Sequence, residues 1–281
     1  MSQIIFVVWR ESIEALLIIG ILHAWLNNGN TSARQGLLWL WFGVGSGLLA
    51  AVSLGAMLVG FTAVLSSDAQ DYFQTAMMLL ACTLIVQMVL WMRQHGHTFK
   101  RDIEMSLAEK HRTSNWWGVF LLAALACARE GSETVIFLYS LGFGRSGHVN
   151  WIQWLAVFIG MTLAWITFYL LQLSGRIFTW QTFFRVTEII LLFLGVGLFE
   201  GSIDKLIDKE IIPTGIDTLW DTSCILDDSS IVGSVVATLT GYRAHLALAN
   251  LLAYIFFWLV VWVLLHRTRN PQFSYAHGDY I

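Results

Sequence analysis

The stretch Trp9-Arg10-Glu11-Ser12-Ile13-Glu14 lies inside the apolar segment 4–26, and Ala128-Arg129-Glu130-Gly131-Ser132-Glu133 lies inside a second apolar segment, 115–141. On a helix, positions i, i+1 and i+4 crowd one side. Arg10, Glu11 and Glu14 therefore line one face of the first segment, and Arg129, Glu130 and Glu133 one face of the other. A charge at the centre of a bilayer costs roughly 2.5–3.5 kcal/mol even on the lenient insertion scale, so six such groups cannot face lipid. They must face one another, a water-filled cavity or a ligand.

Composition places both segments in a membrane. Of 281 residues, 57% are hydrophobic and 12% charged, against about 45–50% and about 25% in ordinary soluble domains. Stretches of the roughly 20 apolar residues needed to cross about 30 Å of hydrocarbon occur near 4–26, 37–65, 71–93, 115–141, 150–173, 183–203 and 243–265. This predicts an all-α integral membrane protein of seven transmembrane helices in a single transporter domain, with no nucleic-acid-binding feature. The first segment is read as a mature helix rather than a signal peptide, because Arg10, Glu11 and Glu14 interrupt it and no basic residue precedes it. Cys82, Cys127 and Cys224 show no paired metal-ligand spacing and are read as packing residues.

Basic residues set the expected orientation, since positively charged loops stay cytoplasmic. Arg34, Arg93, Lys100, Arg101, Lys110, Arg112, Arg176, Arg185, Arg267 and Arg269 share one side if the spans alternate. Arg145, Lys205, Lys209 and Arg243 fall on the other, with most loop acids. The N-terminus is expected outside and the C-terminus inside, with a basic cytoplasmic loop at 94–114, an acidic outer loop at 204–242 and a short cytoplasmic tail at 266–281. The motifs are 119 residues and three spans apart. The chain thus reads as a 3+3 inverted repeat, about 1–93 and 115–203, plus a seventh helix, an arrangement that places transport sites near the midplane.

Four carboxylates against two arginines suit a cation. Carboxylate oxygens are hard donors, fitting iron, manganese, magnesium or calcium rather than thiophilic ions. Glu11, Glu14, Glu130 and Glu133 are the candidate metal ligands, with Arg10 and Arg129 orienting them. Closely spaced carboxylates could also relay protons. Ser12, Ser132 and Thr134 could add hydroxyl oxygens, although hydroxyls in helices commonly bond back to their own backbone. Glu188, Glu200, Asp204 and Asp221 are accessory pathway candidates. His95, His97 and His245 read as solvated or interfacial, and Met88 and Met92 as packing. Charge pairs could instead simply lock helices together, but that role requires no second carboxylate in each motif.

Arg10 to Glu14 and Arg129 to Glu133 resemble the Arg-Glu-x-x-Glu signature of the oxidase-dependent iron permeases, a family including fungal high-affinity and bacterial Efe-type permeases. Val89 to Arg93, Trp220-Asp221-Thr222-Ser223 and Thr240-Gly241-Tyr242 look similar as well, so the resemblance spans nearly the whole chain. Two departures stand out. The motif centres read Ser12-Ile13 and Gly131-Ser132 where Gly-Leu is frequent, and Gln74-Thr75 stands where bacterial relatives commonly carry Glu-Gly. The resemblance implies a non-enzymatic iron-uptake permease of the cell membrane, with iron as cargo and no prosthetic group. It also implies an outer-face oxidase, peroxidase or iron-binding protein as partner. Uptake of lead or manganese is the alternative cargo reading. An intramembrane metal-dependent enzyme is the alternative from another class, against which stands the absence of histidine from both motifs.

Overall fold

A computed structural model describes residues 2–27, 35–95, 116–143, 150–173, 180–213, 220–221 and 245–269. Seven helices run through these residues: α1 Ser2–Asn27, α2 Gln35–Val64, α3 Ser67–His95, α4 Trp116–Ser140, α5 Trp151–Leu173, α6 Trp180–Asp208 and α7 Leu248–Arg269. The sequence has only two prolines, Pro213 and Pro271, and neither interrupts a described helix. Residues Trp220–Asp221 (β1) pair antiparallel with His245–Leu246 (β2), Asp221 opposite His245.

Local chemistry sets the ends. Gly142 closes α4 in the left-handed region at φ 86°, with Phe143 N–H donating to Leu138 O and Gly142 N–H to Tyr139 O. This six-to-one, five-to-two pair satisfies carbonyls that would otherwise be orphaned. Glu210 ends α6 in the same way at φ 58°, and Pro213 follows. The helix thus continues past the expected end near 203, so Asp204 is helical rather than the first residue of a loop. Conversely α7 begins at Leu248 rather than 243, leaving His245 on β2. Ser66 caps α3, its Oγ accepting from Ala69 N–H. At the start of α5, Asn150 N–H donates to Gln153 Oε1 while Gln153 N–H donates to the Asn150 backbone carbonyl.

Five helices are both long and apolar enough to cross a membrane: α2, α3, α5, α6 and α7. The two exceptions to the seven expected spans are α1 and α4, each carrying the three motif charges. Both are nevertheless 25 residues or longer, enough at about 1.5 Å per residue to exceed a hydrocarbon core.

The chain forms two compact units whose boundaries cut through α3 after Ala81 and α6 after Thr187 rather than through loops. The second unit holds the end of α3, most of α6 and α7 around Cys82, Val89, Leu192, Val196, Phe257 and Val261.

In the first unit, α2 runs parallel to α4. Cβ atoms added at Gly43 and Gly47 would lie 2.6 Å from Phe120 O and 2.6 Å from the Cys127 Cβ, and one added at Gly131 would lie 2.5 Å from the Ala51 Cβ. The same pattern joins α5 to α1. Ala156 packs with Ile4 and Val8, Gly160 would meet Ile5 O and Val8 at 2.9 Å, and Ala164 packs on Ile13. Ile4 and Val8 stand 119 residues before Ala123 and Cys127, the spacing of the motifs themselves. Two ladders of small residues, Gly43-Gly47-Ala51 and Ala156-Gly160-Ala164, therefore seat equivalent stretches of the two motif helices. In lipid, where burying apolar surface drives little, such close backbone approach is what holds helices together. At one end Leu22 and Leu26 of α1 share a core with Val119 and Ala123 of α4, while Glu11 and Glu14 meet Glu130 further along. Hence α1 and α4 run in opposite directions.

The outer faces are apolar: Phe42, Leu49, Phe158 and Trp165 are each at least two-thirds exposed, as a lipid-facing surface requires. Gly47→Leu and Gly160→Leu should each destabilise the protein by about 1–3 kcal/mol through overpacking. Gly45→Leu, which meets nothing within 4 Å, should be neutral; thermal unfolding midpoints in detergent check this.

Candidate ion site

Antiparallel α1 and α4 bring the two motifs together at mid-helix. One carboxylate oxygen each from Glu11, Glu14 and Glu130 lies within 4.8 Å of the others. Oxygens on opposite sides of a hard cation bound at about 2.0–2.6 Å stand about 4–5 Å apart, so the three are spaced as ligands of one ion would be. Glu133 stands outside this group.

The arginines divide unequally. Arg10 is 1% exposed and grips both acids of its own motif, Nη1 to Glu11 Oε1 at 2.7 Å and Nη2 to Glu14 Oε1 at 2.5 Å. These are short, charge-assisted contacts. Arg129 contacts Glu133 Oε1 through Nε at 3.1 Å, and its side chain is 47% exposed. Oε2 of Glu11, Glu130 and Glu133 are buried and accept no hydrogen bond among the described residues. Such acceptors are costly to leave without a donor or cation in a low-dielectric interior, so the cluster is chemically suited to a positive guest.

The other predicted positions fall elsewhere. Ser132 Oγ donates to Arg129 O and Thr134 Oγ1 to Glu130 O, both at 2.8 Å. Each hydroxyl thus bonds back to its own helix, and Ser12 is half-buried on α1. Glu188 is buried in the second unit and ion-paired with Arg93 from the end of α3. Glu200, also in that unit, is 1% exposed. Asp204 Oδ1 accepts from Asn250 Nδ2 at 2.6 Å. Asp221 is held by its backbone opposite His245; Thr222, Ser223 and His97 lie outside the described residues. Two partners escaped the sequence reading. Asn250, a lone amide two residues into the apolar α7, was a visible signal, whereas the Arg93–Glu188 pairing across 95 residues had none.

Comparison with known proteins supplies the family. Residues 1–267 match the Iron permease FTR1 family. Among similar proteins, the ferrous iron permease EfeU of Escherichia coli O6:H1 is 25% identical over 239 residues, covering 84% of this chain and 85% of its own. The ferrous iron permease EfeU of Yersinia pestis is 24% identical over 244 residues, covering 84% and 83%. The Escherichia coli K12 relative, 25% identical over 236 residues, carries the name putative inactive ferrous iron permease EfeU. No solved structure matches. With a membrane-type exterior, several long apolar helices and a match over nearly its whole length, the chain belongs to the Iron permease FTR1 family and is a multi-pass protein of the cell membrane.

Proposed function

We propose that this protein takes up iron, passing the ion between α1 and α4 through a site whose core is Glu11, Glu14 and Glu130, with Glu133 beside it. The observation that carries the reading is the convergence of those three carboxylates within 4.8 Å, from motifs 119 residues apart in the sequence. Family membership supports iron as the cargo.

Seven spans in a 3+3 inverted repeat plus one, N-terminus outside and C-terminus inside, complete the proposal. Opposed α1 and α4 and their matching small-residue ladders support the inversion. The excess of basic residues in alternate loops supports the orientation.

In the ion's absence Arg10 neutralises and fixes Glu11 and Glu14. An arriving cation competes with that guanidinium for the same oxygens, which limits how tightly it is held and so eases release. Transport needs this balance, because a site that binds too well does not let go. Oxygen ligands alone do not separate iron from manganese or other hard ions. A hydrolytic metal centre would call for nitrogen ligands or an activated water, and no histidine among the described residues belongs to the cluster. The outer-face oxidase, peroxidase or iron-binding partner remains an expectation of the resemblance.

Radioactive iron uptake at matched membrane abundance tests the site. Glu14→Gln and Glu130→Gln should each lower uptake about tenfold or more, equivalent to at least about 1.4 kcal/mol of lost interaction with the ion. Wild-type uptake in both would remove the carboxylate site. Excess unlabelled manganese or lead, added as competitor, reports selectivity. For orientation, a reporter active only in the cytoplasm should work when fused after Ile281 and fail at the N-terminus.

A further inference from the structure

Arg10 and Arg129 hold equivalent places in the two motifs, yet one is 1% exposed and the other 47%. Arg129 sits midway along α4 (Trp116–Ser140). It ends a stripe one turn apart with Trp117, Leu121 and Leu125, all exposed and apolar. Those three can meet lipid, but a half-exposed guanidinium at that depth cannot. The exposed part of the side chain must meet polar surroundings. Ser132, one turn on, is partly open on the same helix, and the Glu133 side chain held by Arg129 is 10% exposed. Glu133 Oε2 accepts no hydrogen bond among the described residues.

Resting on the carboxylate-site reading, we infer that a water-filled vestibule reaches the ion site along the Arg129 side of α4, with Glu133 as the station between water and the Glu11, Glu14 and Glu130 group. Water fits better than a second protein surface there. A hydrated cation needs a polar approach to Glu11 and Glu130, which are 1% and 5% exposed, and Glu133 lies one helical turn from Glu130 on the same face. The grip on Glu133 also suits a hand-over. Its 3.1 Å contact is longer than the roughly 2.7–2.9 Å of a strong charge-assisted bond, whereas both Arg10 contacts fall at or below that range. The two motifs thus divide the work, the first with Glu130 holding the ion and Glu133 passing it on.

The test uses the full chain in proteoliposomes. In a background with Cys82, Cys127 and Cys224 replaced by serine, Ser132→Cys should react with a charged, membrane-impermeant methanethiosulfonate about tenfold or more faster than Leu125→Cys, because hydrocarbon excludes the reagent. Ferrous iron should slow the Ser132→Cys reaction. In the native background Glu133→Gln should lower the uptake rate while equilibrium binding of ferrous iron stays within about twofold, and Glu130→Gln should lose binding itself. Labelling of Ser132→Cys no faster than of Leu125→Cys, its cross-linking to a second copy, or loss of binding in Glu133→Gln equal to that in Glu130→Gln would each overturn the vestibule. Full binding and uptake in Glu130→Gln would overturn the carboxylate site instead, whatever the labelling shows.

Discussion

Six charged side chains inside two apolar helices impose the constraint from which the rest of the structure follows. Neither helix can stand alone in lipid, because each would carry two carboxylates and an arginine into hydrocarbon. Brought together in opposite directions, α1 and α4 cover every motif charge except Arg129, and Arg10 disappears entirely between its own acids. Removing a partner from such a pair typically costs about 3–5 kcal/mol, since the remaining charge stays buried. Among the described residues, even the assembled cluster has carboxylate oxygens that accept no hydrogen bond. On the proposed reading, a cation completes the cluster, which accords with the tendency of functional sites to depart from full polar satisfaction.

The surrounding helices serve this arrangement. α2 presses against α4 and α5 against α1 through small residues, Gly47 at Cys127 and Gly160 at Val8, each two positions before a motif arginine. Bulk at these points would push the motif helices apart or rotate them, moving the carboxylates relative to one another. On their other faces α2 and α5 carry tryptophan, phenylalanine and leucine toward lipid. The ladders thus fix position and the outer faces fix environment, leaving chemistry to α1 and α4.

Much of this was legible in the sequence. Arg-Glu-x-x-Glu inside an apolar run has few physical readings, and a second copy 119 residues later pointed to a paired site. The back-bonding of Ser132 and Thr134 followed from the ordinary behaviour of helical hydroxyls. What the pattern could not show was inequality. Identical spacing predicts that Glu14 and Glu133 are equivalents, yet Glu14 joins the close group and Glu133 does not. It accompanies a second inequality, Arg10 buried between its acids and Arg129 half-exposed on α4. Nor could periodicity foresee that Glu188 would find Arg93, because local spacing is silent on contacts between distant helices. Helix α6 outlasts its apolar span, which ends near 203, because an αL residue at Glu210 rather than loss of apolarity stops it.

The central claim is that a single ion sits among Glu11, Glu14 and Glu130. Its most direct test is a structure of the full chain with iron, locating the metal by anomalous scattering at the iron edge. The account predicts one peak between α1 and α4 within about 2.0–2.6 Å of an oxygen from each of the three residues. A metal peak elsewhere in the membrane-spanning region, with Arg10 still bound to an empty cluster, would contradict it.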